Sequence, residues 1–333
     1  LQISVIIAVY NEEKNIVKCL EALVNQDFPK EQYEIIVVND KSTDNTAEVI
    51  GKYVKMYPDF VKLINLFNNK GRIIARITGA NNAKYDLLLS IDSRCIASTD
   101  LLTTLERIEY QPAMSGHVPE TMGEKSLFAR VINLFRLKYY STEAWGKKEY
   151  WINEYNFNRS PKGTTCLFIH RDLFLECQPS SKGRHINDDT KILKEVVKRK
   201  SILRHQDVKV KYLARSESKS ALKHIFYRGP LFQDYYLCRG GIYYKYFVAS
   251  VITGLILLTL GIFIHSIWLY YLLAFVLGIF GIGFYLSKNV NDFFVVLLYF
   301  PLIAGTFVSG ILYGKVNVWL STIKKKIQRK GRL

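Results

Sequence analysis

Residues 85–94 read Tyr85-Asp86-Leu87-Leu88-Leu89-Ser90-Ile91-Asp92-Ser93-Arg94. The apolar run is too brief for a helix and stops on an acid, Asp92. A near-continuous hydrophobic run of this length fits a strand buried on both faces of a parallel sheet. In open α/β sheets, ligands bind at the carboxyl ends of the strands. Asp92, followed by Ser93 and Arg94, therefore stands where a diphosphate or its metal would be held. Taken in isolation, a solvated strand end would look the same, so the neighbouring sequence has to decide.

Working back towards the start, Ile3 to Val9 reads as a first buried strand, with Asn11 as the N-cap of a helix carrying Ile16, Cys19, Leu20 and Leu23. A second strand, Glu34 to Val38, ends on Asn39-Asp40 and leads through Lys41-Ser42-Thr43-Asp44 into a helix reaching about Tyr57. A strand at Val61 to Leu66, then Asn69-Lys70-Gly71 and a helix with Ile73, Ile74, Ile77 and Ala80, lead to the strand at 85–91. Four β-α repeats with short connections predict a mostly parallel sheet with helices on both faces. No Gly-x-Gly-x-x-Gly follows a strand, and no Gly-Lys-Ser/Thr phosphate loop is present. Acids stand where a dinucleotide fold has glycines, which suits a base, a ribose or a metal-bound diphosphate.

Composition narrows the partners. The 333 residues carry a formal charge of +17, which calls for a partner of opposite sign: nucleic acid, anionic lipid or a phosphorylated substrate. Cys19, Cys95, Cys166, Cys177 and Cys238 lack paired spacing and read as reduced thiols, neither a disulfide framework nor a zinc site. Leu1 to Tyr10 lacks a basic start and reads as a strand, not a signal peptide.

Four pieces in order, Ser4 to Glu13, Glu34 to Asp44, Asn69-x-Gly71 with Ala75-Arg76, and Ser90-Ile91-Asp92, resemble the family 2 glycosyltransferases, inverting enzymes of GT-A fold. More distant elements extend the likeness to about residue 245. The resemblance implies that Tyr10 and the backbone around Ala8 contact the nucleobase. It implies that Glu12 or Glu13, Asp40 and Arg76 help to hold the nucleoside, with Asp92 beside the ribose and the metal-bound diphosphate.

Two departures stand out. Lys41 occupies a position where the family usually carries Gly, and Arg94 one where it carries a second acid. An Asp-x-Asp pair works by putting two hard oxygen ligands near a divalent ion that bridges the phosphates. With Arg94 there, either Asp92 and the diphosphate hold Mg2+ or Mn2+ with ligands from elsewhere, or Arg94 takes over part of the ion's charge-neutralising role. The resemblance favours the metal, with Asp92 as its protein ligand.

Further along, residues 98–109 fit a helix, Ala113 to Val118 a strand, and 124–148 a helical stretch with a basic face (Lys125, Arg130, Arg136, Lys138, Lys147, Lys148). Such a face is ordinarily solvated; beside a bilayer it would also meet anionic headgroups. Lys162 to Ile169 reads as a glycine turn into a strand, where the resemblance implies the acceptor side. Asp188-Asp189 at a helix start would by default be a cap with dipole compensation. Inverting transfer, however, needs a carboxylate to take the acceptor's proton. The family's base is the second acid of such a pair with an apolar residue three later, which points to Asp189 with Ile192 ahead of Asp188.

Residues 219–246 interleave bases (Lys219, Lys223, Arg228, Arg239, Lys245) with aromatics. That mixture can mark single-stranded nucleic acid. Before apolar spans it marks the membrane interface, and Arg228 and Arg239 then face the acceptor or lipid. Three apolar stretches follow, Phe247 to Ile264, Ile267 to Leu286 and Phe293 to Tyr313, each close to the ~20 residues of a helical span. The expected organisation is a catalytic domain over 1–215, interfacial helices over 216–246, a transmembrane region over 247–314 and a basic tail over 315–333.

Nucleotide sugars place the catalytic domain on the cytoplasmic side of a multi-pass membrane protein, and the positive-inside rule places Lys324-Lys325-Lys326, Arg329, Lys330 and Arg332 there too. Three crossings would separate the two. Either one stretch is re-entrant, a span pairs differently or the charge rule fails, and Pro301, Gly305, Gly310 and Gly314 make the third stretch the candidate for irregular geometry.

The resulting expectation is an inverting transferase moving sugar from a nucleotide-sugar donor to a polyprenyl-phosphate or lipid-linked glycan acceptor at the membrane, without nucleic acid. A processive polysaccharide synthase is the alternative within enzymes. It is disfavoured by Gln233-Asp-Tyr-Tyr-Leu where such synthases carry Gln-x-x-Arg-Trp. A non-catalytic nucleotide-sugar binder is the alternative outside them, suggested by Lys41 and Arg94 and opposed by Asp40, Asp92 and Asp189.

Overall fold

A computed structural model of the chain describes residues 1–118, 121–122, 127–140, 147–179, 188–213, 218–238, 240–264 and 266–330. It forms two compact units: residues 1–123, 140–184 and 188–214 make the first, and residues 124–139, 185–187 and 215–333 the second.

The first unit is built on a mixed α/β sheet. In chain order its strands are β1 (Ile3–Val9), β2 (Tyr33–Asn39), β3 (Val61–Asn65), β4 (Leu87–Asp92), β5 (Cys95–Ala97), β6 (Ala113–His117), β7 (Thr121–Met122), β8 (Glu149–Ile152), β9 (Cys166–His170) and β10 (Ile202–Leu213). The sheet order is β3-β2-β1-β4-β9-β6-β10-β5, with β7 and β8 also on β10. The expected parallel core is present: β1 pairs in parallel with β2 and β4, and β2 with β3. The register sets Ala8 level with both Val38 and Asp92, so the polar residues that follow each strand emerge at one edge. β9 then runs antiparallel against both β4 and β6.

Helices α1 (Ile16–Val24), α2 (Thr46–Met56), α3 (Arg72–Asn81), α4 (Leu101–Arg107), α6 (Arg171–Glu176) and α7 (Asp188–Val197) belong to this unit, and α5 (Leu127–Tyr140) falls almost wholly in the second. The core on one side of the sheet joins Ile3, Val5 and Ile7 of β1 to Ile16, Leu20 and Leu23 of α1 and to Leu87, Leu89 and Ile91 of β4. Apolar burial at these positions is what the short continuous runs in the sequence encode.

One local expectation is corrected. Asn11 does not cap α1, whose N-cap is Asn15. Asn11 takes a positive φ of 54° and turns to residues 42 and 43 instead. The short strand β5, directly after Asp92, went unread. Three residues are too few to show a period, and only their antiparallel pairing with β10 makes them a strand.

The second unit contains α5, α8 (Ser218–Tyr236), α9 (Tyr244–Phe263), α10 (Ile267–Leu286) and α11 (Val290–Lys330). Helices α9, α10 and the stretch Val290–Leu320 of α11 are long and apolar enough to cross a membrane. The third stretch is not irregular: α11 runs unbroken through Pro301 for 41 residues. It also continues through the expected tail as far as Lys330. Val131 and Leu134 of α5 pack with Val295 and Val296 of α11, and Arg130 pairs with the buried Asp292 at 2.6 Å.

Candidate active site

The carboxyl edge of the sheet is built first by its loops. The loop after β1 and the loop after β2 interlock. Asn11 accepts the Thr43 N–H at 2.8 Å and donates its own N–H to Ser42 Oγ at 3.0 Å. The Glu12 N–H donates to Thr46 Oγ1 at 2.9 Å, and Glu13 Oε2 accepts the Asn45 N–H at 3.0 Å. Buried backbone groups need partners, and these polar side chains supply them where the chain leaves the sheet. Lys41 lies between them with φ of 60°. That left-handed conformation costs an L-residue roughly 1–2 kcal/mol and explains why a glycine suits the position.

Asp40 is buried, and both its oxygens are taken by backbone: Oδ1 accepts the Lys70 N–H at 2.7 Å and Oδ2 the Gly71 N–H at 2.8 Å. Gly71, at φ of 88°, is the N-cap of α3. Asp40 thus fixes the start of the helix that carries Arg72 and Arg76.

Arg76, only 3 % exposed, is the centre of the site. Its Nη2 donates to Asp92 Oδ1 and its Nη1 to Asp189 Oδ1, each at 2.9 Å. Nη1 also reaches Thr164 Oγ1 at 2.7 Å, and that hydroxyl donates in turn to Asp189 Oδ1. Arg72 Nη2 holds the second oxygen, Asp189 Oδ2, at 2.9 Å. Strand β4, helix α3, the loop before β9 and the first turn of α7 therefore converge on one guanidinium.

Of the expected residues, Arg76, Asp92 and Asp189 are brought together. Arg94 is turned to Glu12: its Nε donates to Glu12 Oε1 at 2.7 Å, while Glu12 Oε2 accepts from Asn15. Tyr10 stands part-exposed just past β1. Arg228 is exposed on α8, in the second unit. Arg239 and the side chain of Asp188 lie outside the described residues. Arg72 and Thr164 escaped the sequence reading. An arginine one residue after Gly71 was the available signal for the first; the glycine turn over Lys162 to Ile169 covered the second without singling it out.

The charges are unequal in effect. Burial pushes the Asp92 carboxyl up and the nearby Asp189 adds to this, against the pull of Arg76 and Arg72. Burial also opposes ionisation of Asp189, but Arg72, Arg76 and the Thr164 hydroxyl outweigh it and hold its carboxyl below the usual range. Two carboxylates so close are pushed apart in this way, one resisting ionisation and one fully ionised. Beneath them lie three buried thiols. Cys19 reaches the Asp92 carbonyl at 3.7 Å and Cys95 the Thr165 carbonyl at 3.5 Å, while burial pushes Cys166 up to about 12. Thiols held this way stay protonated and inert.

Among the described residues, no group of three or more His, Cys, Asp or Glu could hold a metal ion. Magnesium-type ions on phosphates need only one or two carboxylates, the substrate oxygens and water completing the shell. Asp92, its side chain one-third exposed, fits that smaller demand.

A parallel sheet that gathers carboxylates and a buried arginine at its carboxyl edge, continued by antiparallel strands, is the GT-A architecture of glycosyltransferases. The chain belongs to glycosyl transferase family 2, whose model matches residues 4–174. A dolichyl N-acetyl-alpha-D-glucosaminyl phosphate 3-beta-D-2,3-diacetamido-2,3-dideoxy-beta-D-glucuronosyltransferase of Methanococcus voltae is 33 % identical over 168 residues, 46 % of this chain and 49 % of that protein. A poly(ribitol-phosphate) beta-glucosyltransferase of Bacillus spizizenii is 42 % identical over 93 residues, 28 % of this chain and 15 % of the relative. The matches thus span about half or less of these curated relatives. The mannosyltransferase PcManGT of Pyrobaculum calidifontis, solved with GDP-Man and Mn2+, shares the fold at a TM-score of 0.52 and 17 % identity, over 70 % of this chain and 62 % of that one.

Proposed function

We propose that the chain transfers a sugar, with inversion, from a nucleotide-sugar donor to a polyprenyl-phosphate or other lipid-linked acceptor at the cytoplasmic face of a membrane. The observation that carries this is the Arg76 bridge, which fixes a carboxylate at the end of β4 and one at the start of α7 on a single guanidinium. One carboxylate serves the donor end and the other the acceptor end of an in-line displacement.

In this reading the nucleobase and ribose lie along the edge formed by Ala8, Tyr10, Glu12 and Asp40. Asp92 would hold Mg2+ or Mn2+ together with the donor's diphosphate, supplying positive charge as the leaving group departs. The hydroxyl of a lipid-linked glycan acceptor attacks the anomeric carbon, its oxygen forming the new bond as the carbon–oxygen bond to the diphosphate breaks. Its proton passes to Asp189, already ionised at neutral pH. Paired with Arg72 and Arg76, that carboxylate is a weak base. An incoming diphosphate offers the half-exposed Arg72 a competing anion, and its movement towards it raises the basicity of Asp189 as the reaction needs it. A lipid-linked acceptor suits the long apolar helices of the second unit, and the Methanococcus relative is named for a dolichyl-phosphate-linked substrate.

The test combines donor binding with turnover. A thermal-shift panel of UDP-, GDP-, CDP- and dTDP-sugars, with and without Mn2+, identifies the donor, since a ligand of the folded state raises its apparent stability. With that donor and a lipid-linked glycan bearing a free hydroxyl, Asp189→Asn should cut kcat about a hundred- to ten-thousand-fold while keeping the donor's thermal shift. Asp188→Asn should keep most of the activity. Normal turnover by Asp189→Asn would remove the assignment, and donor binding without any turnover by the native chain would make it a binder.

A further inference from the structure

Three apolar helices leave the number of membrane crossings open, and the contacts inside the second unit decide it. Helices α9 and α10 meet at a closed tip. Trp268 Nε1 donates to the Gly261 carbonyl at 2.8 Å, and the Tyr271 hydroxyl to the Leu257 carbonyl at 3.0 Å. Away from the tip they separate, and every residue over 248–260 and 272–278 is exposed. Their far ends each touch α11, at opposite ends of its apolar stretch Val290–Leu320. Phe284 of α10 packs on Phe293 with ring centroids 4.6 Å apart. At the foot of α9, Lys315 Nζ lies 4.8 Å from the Phe247 ring and donates to the Leu237 carbonyl at 2.9 Å.

Residues 293 and 315 are roughly 33 Å apart along a helix rising 1.5 Å per residue, and α9 and α10 are each roughly 30 Å long. The three helices form a triangle whose base is α11. If α11 crossed the bilayer, the tip would carry its turn backbone into hydrocarbon, where open N–H and C=O groups have no partners. The helices packed along α11 would have to enter as well. These are α5, with Arg130 and Lys138, and α8, with Lys219, Lys223 and Arg228. Charged side chains near the bilayer centre are costly to insert.

We infer that α11 lies along the membrane surface, and that only α9 and α10 cross. Each crossing helix then tilts by roughly 33° and spans roughly 25 Å, within the range of known tilts and close to the hydrocarbon thickness. One face of α11 (Val295, Val296, Gly310, Ile311, Gly314) is buried, and the other exposes Phe294, Leu298, Leu302, Leu312, Val316 and Trp319. That exposed apolar face sinks into the headgroup–acyl boundary of an anionic leaflet, as an interfacial helix does. The basic side chains of α5 and α8 meet the headgroups. Two crossings return the chain to the face it left, so the lysines at 324–326 share a side with the first unit and the conflict over charge disappears.

Cysteines added one at a time to the full chain, in a Cys238→Ser background that leaves only the buried Cys19, Cys95, Cys166 and Cys177, test this with a membrane-impermeant maleimide on sealed right-side-out and inverted vesicles. Lys55→Cys reports the first unit, Ser266→Cys the tip and Thr322→Cys the end of α11. Lys55→Cys and Thr322→Cys should label from one side and Ser266→Cys from the other. Any other pattern overturns the inference. Nitroxides at Phe294→Cys, Leu302→Cys and Leu312→Cys should report one shallow depth; a maximum at 302 would mean that α11 spans.

Discussion

Arg76 donates to two carboxylates, one 16 and one 113 positions away in the chain, and its own burial makes both contacts obligatory. A buried guanidinium without anions would bear the full desolvation cost, so the site is as much a structural knot as a chemical one. Arg72 is the adjustable member, being 44 % exposed and in contact with the oxygen of Asp189 that Arg76 does not bind. Arg72→Ala should raise the Asp189 carboxyl and move the acid limb of the pH–activity profile up by about one unit; an unmoved limb would detach Arg72 from the base. Because Asp189 titrates lower folded than unfolded, it lends stability above the unfolded carboxylate range that is lost as pH falls through its folded value. The same variant should therefore lose its stability to acid at higher pH, read by thermal melts from pH 7 to 3. Asp92, shifted the other way, favours the folded state when protonated, a contribution that fades as pH rises through its folded value.

Among the elements, the contact of α8 with α11 depends on missing side chains. A Cβ on Gly310 would sit 2.0 Å from the Phe226 carbonyl oxygen, one on Gly229 2.4 Å from the Gly310 backbone, and one on Gly314 2.9 Å from Pro230. Small residues let two backbones approach and add dispersion contacts along the seam. Gly310→Ala should cost at least about 1–3 kcal/mol, the usual range for overpacking, seen as a lower Tm in detergent and loss of folded yield. Gly305→Ala, with nothing within 4 Å of its Cβ, should be neutral. Equal effects would show that the close approach is not what matters.

For the whole molecule, the division of the chain between units is the consequence with most reach. Helix α5 is inserted between β7 and β8 of the sheet, yet Phe128, Val131 and Leu134 pack with α11 residues, Phe128 on Tyr299 with ring centroids 5.0 Å apart. A chain ending at residue 214 would leave these apolar groups bare. It should aggregate or require detergent, as judged by size-exclusion chromatography. Phe128→Ser, Val131→Ser and Leu134→Ser together should restore a monodisperse fragment, and persistent aggregation would point to a different exposed surface.

By itself the sequence determined the four β-α repeats, the acid closing β4, the family and the apolarity of α9, α10 and α11. Burial on both faces and the ~20-residue length of a span are local demands that leave a continuous mark on the chain. The motif residues around Asn11 and Asp44 were legible as motifs but not as a mutual lock, since their partners lie some thirty positions apart. The tertiary structure alone decided that Arg76 joins Asp92 to Asp189, that Thr164 and Arg72 complete the cluster, and that Arg94 turns to Glu12. It alone set the far ends of α9 and α10 against α11. An apolar helical stretch has one composition whether it stands in a bilayer or lies on it, and only what packs against it distinguishes the cases.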